Sequence, residues 1–169
     1  MTTYQLRRLR LRSGEQHREQ VAVQLEPYVL GGERYLAVPG DPEATLSIER
    51  ATSGDVFKLR FSTRIHGPCM RCLGDAVAAV AVAAQEYHSN EERAPVDLRS
   101  EYVVDGQLLL STWARDAIAL QLPDQILCRL ECAGLCHVCG GNLDLGPHRH
   151  DEDLPDSRWA ALEPLLDDS

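Results

Sequence analysis

The residues best suited to chemistry in this chain are its six cysteines, because four of them lie within twelve positions. The spacing is C-x3-C-x3-C-x2-C, formed by Cys128, Cys132, Cys136 and Cys139. Zinc prefers four thiolate or imidazole ligands in a tetrahedron, and four thiolates make a closed, structural site. Ligands close in sequence also lose little chain entropy when an ion joins them. The sequence therefore predicts a structural zinc site with these four ligands.

A separate pair, Cys69 and Cys72, leaves other arrangements open. The pair could join the last two cysteines of the crowded group in a zinc ribbon built from two C-x-x-C turns. His148 and His150 follow closely and offer ring nitrogens if one cysteine points away. A different chemistry is also open, because a C-x-x-C beside Arg71 can act as a dithiol/disulfide couple. Thiol–disulfide exchange by Cys69 and Cys72 is thus the alternative function.

Length and hydropathy suggest where the protein works. A chain of 169 residues suits one ordinary domain with a small appended module. Its first residues lack the apolar run of a signal peptide, and no stretch approaches the roughly 20 apolar residues of a membrane span. We therefore expect a cytoplasmic protein, in a compartment where cysteines bind metal or catalyse more often than they form disulfides.

The charge is unevenly distributed along the chain. The net charge is −9, but residues 1–75 carry 11 Arg and Lys against 9 acidic residues, whereas residues 76–169 carry 6 against 17. An acidic protein is not a typical nucleic-acid binder, so any RNA contact should be local. The alternation of leucine and arginine in residues 6–12 predicts a strand with one basic face, and the simpler interpretation of that face is the solvated side of an edge strand. The candidate contacts to RNA or a protein partner are Arg7, Arg8, Arg10, Arg12, Arg64 and Arg71.

The remaining pattern predicts an α+β fold. Residues 20–90 read as strands separated by turns, and the strongest, 56–65, runs directly into the Cys69 to Cys72 turn. Residues 76–84 favour a strand pairing with it, although a helix stays possible. We expect a mainly antiparallel, twisted sheet or partly open barrel over residues 4–88.

Helical periodicity appears only after this sheet. A helix follows Ser111 or Thr112 as its cap and ends before Pro123. A cysteine-rich zinc-binding module comes next, and residues 156–166 could form a last short helix. The predicted domains are residues 1–122, a β-rich core with its terminal helix, and residues 123–169, the cysteine-rich module and tail.

Several of these segments together resemble the YceD family, long described as a domain of unknown function. The resemblance lies in Cys69-Met70-Arg71-Cys72-Leu73, in Gly134-Leu135-Cys136-His137-Val138-Cys139-Gly140-Gly141-Asn142-Leu143, and in the closing Asp156-Ser157-Arg158-Trp159-Ala160-Ala161-Leu162. His137 stands where the family usually has proline, and Asp144 replaces a common asparagine. Where many relatives continue with C-x-C, this chain has His148 and His150.

The resemblance implies a function that composition and spacing do not show. It implies a non-enzymatic bacterial factor required for 23S ribosomal RNA accumulation and for biogenesis of the large ribosomal subunit. The implied partner is a pre-ribosomal large-subunit particle, its RNA, or a ribosomal or assembly protein, with no membrane and no small-molecule substrate.

Overall fold

The computed structural model describes residues 1–91, 93–146 and 149–150. The chain divides into two compact units, Met1–Cys132 and Ala133–Ser169. The boundary after residue 122 that the sequence suggested stays a prediction, as does the short helix over 156–166, which lies outside the described residues. None of the helices in the described part of the chain has the length and apolar character needed to cross a bilayer.

The first unit contains nine strands and one α-helix among its described residues. They are β1 (Tyr4–Gln5), β2 (Gln16–Ala22), β3 (Tyr28–Leu30), β4 (Glu33–Val38), β5 (Glu43–Arg50), β6 (Gly54–Pro68), β7 (Asp75–Ser89), β8 (Val103–Val104), β9 (Gln107–Leu108) and α1 (Leu110–Ala119). Short 3-10 turns cover Leu6–Arg8 and Val96–Leu98. The second unit has a 3-10 turn at Leu143–Leu145.

Strand β6 organises the main sheet because it pairs along both of its edges. Strand β7 pairs antiparallel with its whole length, from Gly54 opposite Ser89 to Pro68 opposite Asp75. On the other edge, β5 pairs with the first half of β6 and β4 with the second half, while β2 and β3 extend the sheet outward. The result is a mostly antiparallel sheet, accompanied by one helix, and the sheet is not closed into a barrel. Of the two forms that the sequence predicted, a sheet or a partly open barrel, the open sheet is observed.

Alternating side chains explain why β6 and β7 form a hairpin. Phe57 and Leu59 on β6 are fully buried, and Val80 and Val82 on β7 are nearly so. Since successive strand residues point to opposite faces, this period of two buries one face of the hairpin in the core. The strand that was favoured for residues 76–84 is confirmed, and the alternative helix there is wrong.

Helix α1 covers the core with Trp113, Ala114 and Ile118, which are buried. It begins at Leu110, slightly before the predicted caps. Ser111 and Thr112 therefore lie inside its first turn and not at its cap, and the Ser111 hydroxyl accepts a hydrogen bond from the Thr2 amide at 2.7 Å. That bond ties the N-terminus of the chain to the start of α1.

The strand predicted for residues 6–12 is wrong. Only Tyr4 and Gln5 pair in a sheet, with β9, and the chain then turns through a 3-10 segment. The Leu6 amide donates to Gly106 O at 3.0 Å, and Leu9 and Leu11 pack against the core. Tertiary contacts of the leucines therefore decide the local shape, while the arginines between them stay exposed.

A tyrosine on β4 supports the end of β6 where the cysteine turn begins. Tyr35 is 1% exposed, and its hydroxyl donates to Pro68 O at 2.8 Å. Its ring lies against Gly67, so closely that a Cβ atom at Gly67 would overlap the ring. Gly67 is required here because no larger residue leaves room for the ring.

Replacing Gly67 by alanine is expected to destabilise the first unit by about 1–3 kcal/mol, the usual cost of overpacking a well-filled core. The free energy of unfolding in urea, followed by circular dichroism, measures the effect. Gly40→Ala is the matched control, since a Cβ there meets only Ala37 O at 3.8 Å. Equal stability of the two variants would contradict the role given to the contact between Tyr35 and Gly67.

Candidate metal centre

The turn that joins β6 to β7 holds Cys69 and Cys72, the first cysteine pair in the sequence, in a tight loop. The Cys69 amide donates to Gly74 O at 2.6 Å, and the Leu73 amide donates back to Cys69 O at 3.0 Å. The Arg71 amide points at the Cys69 sulfur at 3.5 Å. Leu73 adopts a φ of 60°, a left-handed conformation that non-glycine residues seldom take. The turn thus directs the sulfurs of its two cysteines to the same side.

The second unit repeats this hydrogen-bond pattern at its own C-x-x-C. The Cys136 amide donates to Gly141 O at 2.8 Å, and the Gly140 amide donates to Cys136 O at 2.8 Å. The Val138 amide points at the Cys136 sulfur at 3.4 Å. Gly140, at φ 71°, holds the position that Leu73 holds in the first turn. Both turns have the build of a knuckle that presents two thiolates to one ion.

Four cysteines of the first unit meet at the end of the β6–β7 hairpin. The sulfur of Cys69 lies 3.8 Å from that of Cys132, and the sulfur of Cys72 lies 3.7 Å from that of Cys128. All four sulfurs lie within 4.8 Å of one another, and the cysteines are free thiols. Ligands at about 2.3 Å from a tetrahedral zinc ion stand about 3.8 Å apart along each edge. This four-sulfur cluster therefore has the size of a closed tetrahedral site.

The segment after α1 reaches this cluster through contacts of its own. Ile126 is 1% exposed, and its carbonyl accepts from the Met70 amide at 2.9 Å. The Arg71 guanidinium donates to Cys132 O at 3.0 Å and to Gln125 Oε1 at 3.2 Å. Core packing and these hydrogen bonds place the downstream cysteines beside the hairpin turn.

A smaller cluster lies within the second unit. Its members are Cys136, Cys139 and His150, whose ligand atoms lie within 4.8 Å of one another. His150 Nε2 stands 3.0 Å from the Cys136 sulfur. Two thiolates and an imidazole are ligands that zinc accepts, and this set supplies three of the four that a closed site needs. His148, the other histidine considered from the sequence, lies outside the described residues.

One thiol in each cluster is already biased toward its charged form. Burial would by itself raise the pKa of Cys69, but hydrogen bonds from the backbone amides of Cys128 and Arg71 outweigh it and lower that pKa to about 6. The amide of Cys139 likewise lowers the pKa of Cys136 to about 6. Because only the thiolate binds metal, both sulfurs are suited to ligation near neutral pH.

The structure thus groups the predicted metal ligands differently from the sequence. Cys128 and Cys132 lie with the upstream cysteine pair, whereas Cys136 and Cys139 lie with His150. The ligand set predicted from spacing alone is therefore divided between two clusters. The ribbon considered from the sequence did include Cys69, but with the cysteines of the second unit. The two similar C-x-x-C turns could be recognised in the sequence. The sequence did not show which other cysteines would lie beside each turn.

The six arginines named as candidate contacts lie on separate segments of the first unit. Arg7 lies over Gly106, and the other three N-terminal arginines are exposed. Arg64 is exposed on β6. The Arg71 guanidinium donates a hydrogen bond to Cys132 O beside the four-sulfur cluster. Their role in binding RNA or a protein stays a prediction.

Fold and site together define a β-sheet protein with two thiolate-rich clusters that could each hold a metal ion. Comparison with known families narrows this class. The model of the family described as large ribosomal RNA subunit accumulation protein YceD matches residues 57–166, about two thirds of the chain. The chain belongs to the YceD family, as its cysteine motifs indicated.

Relatives of the chain occur in mycobacteria. Uncharacterized proteins of Mycobacterium tuberculosis and Mycobacterium bovis are 33% identical over 126 residues, which cover 72% of this chain and 60% of theirs. One of Mycobacterium leprae is 33% identical over 102 residues, or 58% of this chain and 46% of the relative. The match thus spans 60% or less of the relatives' length. No solved structure matches the chain.

Replacing Cys69 by serine is expected to remove one of about two metal ions per chain, because it breaks the four-sulfur cluster and leaves the second cluster intact. Cys136→Ser should remove the other ion. Elemental analysis of protein purified with its metal gives the stoichiometry, and His137→Ala is the control, since His137 is exposed and belongs to neither cluster. Unchanged metal content in Cys69→Ser would contradict ligation and favour the thiol–disulfide alternative.

Proposed function

We propose that this protein is a non-enzymatic factor required for the accumulation of 23S ribosomal RNA, and hence for biogenesis of the large ribosomal subunit. The observation that carries the proposal is the match of residues 57–166 to the family described by that role. The partner would be a precursor particle of the large subunit, met in the cytoplasm through its RNA or through a ribosomal or assembly protein. The chain needs no small-molecule substrate for such a task.

Structural zinc is the ion that best suits the four-sulfur cluster. Four thiolates at tetrahedral spacing leave no open position for a substrate, which is the arrangement of a structural rather than a catalytic site. Its ligands would be Cys69, Cys72, Cys128 and Cys132. Zinc bound there would fasten the segment after α1 to the end of the β6–β7 hairpin. The second cluster would use Cys136, Cys139 and His150 in the same way to order its own unit.

Ions bound at these clusters would stabilise one shape of the protein surface, which a partner could then recognise. The apparent binding free energy of structural zinc is roughly 10–16 kcal/mol, and it becomes folding free energy for the segments that the ion joins. Ile126 and the hydrogen bonds of Arg71 anchor residues 124–132 at a few points, and a bound ion would fix the rest of this irregular segment. The metal would therefore give this part of the protein a defined shape for recognition.

Thiol–disulfide exchange by Cys69 and Cys72 remains the alternative function. The lowered pKa of Cys69 suits such chemistry, because the thiolate is the nucleophile. The Cys69 sulfur is, however, fully buried beside Cys132. The two functions differ in what they require: exchange needs a reversible potential at this pair, whereas a structural site needs all four sulfurs together.

Depletion of this protein is expected to lower the ratio of 23S to 16S ribosomal RNA before growth slows, because the proposed factor is required for 23S ribosomal RNA to accumulate. Quantification of total RNA at early times after depletion measures the ratio. Wild-type protein supplied in trans should restore it, and so should the control variant His137→Ala.

The variant Cys69→Ser/Cys132→Ser should restore the ratio poorly, since it removes two of the four sulfurs. An unchanged ratio in depleted cells would contradict the proposed function, whatever the metal content of the protein.

A further inference from the structure

The face of the main sheet that points away from the core carries a row of cations. On β6 the buried residues are Phe57, Leu59 and Phe61, so Lys58, Arg60 and Arg64 point outward. Arg18 on β2 points to the same side, because it lies opposite Ser47, which in turn lies opposite Lys58. The strand spacings place Arg18 about 9–10 Å from Lys58, and Arg64 about 20 Å along β6 from Lys58.

Three adjoining depressions connect these cations into one groove. The first, of about 220 Å³, is lined by Arg18, Ser47, Lys58 and Arg60 among others. The second shares Arg60 with the first, and the third ends at Arg64. The second and third depressions have about 530 and 560 Å³, within the range of small-molecule pockets. All three, however, adjoin along an open sheet face and do not enclose a ligand, so the track suits an extended chain better than a metabolite. We call it the basic groove, bounded by Arg18 at one end and Arg64 at the other.

Small and hydroxyl-bearing side chains form the floor of the basic groove. Ser62, Ala79 and Ala81 line it toward Arg64. At the other end, Gln16 Nε2 donates to Ser47 Oγ at 2.5 Å and Gln20 Nε2 donates to Thr45 Oγ1 at 2.9 Å. Each of these hydroxyls still has its own proton to donate. The floor therefore lets a backbone approach closely and offers it hydrogen-bond donors.

The charges near the groove favour an anion. Glu49 pairs with Lys58 at 3.5 Å and Glu43 lines the middle depression, so four cations face two carboxylates. This local excess of positive charge occurs in a chain whose net charge is −9. A polyanion would be drawn to the groove and repelled by most of the remaining surface.

The shape of the floor favours a phosphate backbone over an acidic peptide. Peptides and proteins bind chiefly through large side chains anchored in closed pockets. The groove is open and is floored by small residues along its middle, and its larger exposed apolar residues, Val38 and Pro39, lie only beside Arg64. Phosphates need only cations and donors. The alanines also present no ring on which bases could stack and no polar group that could contact base edges, so the contacts would be mainly to phosphates.

We propose that the basic groove binds RNA through its phosphates, without reading its sequence. The choice of RNA rests on the proposed role in 23S ribosomal RNA accumulation. Among the arginines suggested from the sequence, only Arg64 belongs to the groove; Arg18, Lys58 and Arg60 are additional. Their arrangement on one sheet face is visible only once β2, β5 and β6 are paired.

The test compares two triple variants of the full chain that change the net charge equally. Arg18→Gln/Lys58→Gln/Arg60→Gln alters the groove, and Arg8→Gln/Arg10→Gln/Arg12→Gln alters the exposed N-terminal arginines. The probe is 23S ribosomal RNA transcribed in vitro, titrated at salt concentrations between about 50 and 200 mM. For the groove variant, the slope of log affinity against log salt should become shallower by about 2–3, or 0.7–0.9 per lost phosphate contact. The N-terminal variant should keep the wild-type slope, because the proposal assigns the phosphate contacts to the groove and none to the N-terminal arginines that the sequence suggested.

The results separate the groove from the proposed function. Wild-type affinity and slope in the groove variant, or an equal loss in both variants, would overturn the proposal. So would a groove variant that fails to restore the 23S to 16S ratio although it binds RNA normally, since the groove would then serve another partner. A depleted strain with an unchanged ratio would instead overturn the proposed function and leave the binding result standing.

A second pair of variants covers the case in which the triple variant does not fold. Ala81→Glu adds a carboxylate to the floor of the groove, and Ala81→Gln adds the same bulk without charge; Ala81 is exposed, so neither should disturb the core. Ala81→Glu should bind the RNA at least tenfold more weakly than Ala81→Gln at the lower salt concentration. Equal affinity of the two would contradict phosphate binding in the groove.

Discussion

Four sulfur atoms lie together at the spacing of a tetrahedron, and they come from two parts of the first unit that are far apart in sequence. Cys72 and Cys128 are separated by 56 positions, yet their sulfurs lie 3.7 Å apart. The long β6–β7 hairpin presents one pair of thiols at its end, and the chain that leaves α1 presents the other. The hairpin end is itself supported by Tyr35 on β4. The position of the candidate metal site thus depends on the sheet, the helix and the segment that follows it.

Loop-closure entropy does favour ligands that are close in sequence, but the difference in free energy is too small to decide how the cysteines are grouped. Closing a loop of 56 residues costs about 2–3 kcal/mol more than closing one of four. Burial of one large apolar side chain such as Ile126, which is 1% exposed, offsets most of that at about 1.5–3 kcal/mol. Packing of the core therefore offsets most of the cost of bringing the distant cysteines together, and a bound ion would add to that stabilisation. Spacing in the sequence describes only the unfolded chain, so it could not reveal this.

The sequence was informative wherever a local pattern met no competing contact. Strict alternation predicted β6, and a valine-rich stretch predicted β7 as its partner. Residues 6–12 alternate as well, but packing of their leucines against the core replaced the strand with a 3-10 turn. The cysteines were recognised as candidate ligands from their types, whereas their grouping and the basic groove depend on which strands and segments become neighbours. Tertiary packing determines those neighbours, and local patterns in a single sequence carry no information about it.

X-ray absorption at the zinc edge of the variant Cys136→Ser/Cys139→Ser tests the central grouping most directly. This variant removes the thiols of the second cluster and leaves the four-sulfur cluster complete. We expect one zinc ion per chain with four sulfur neighbours at about 2.3 Å. Loss of the zinc, or a first shell with fewer than four sulfurs, would contradict the grouping of Cys69 and Cys72 with Cys128 and Cys132.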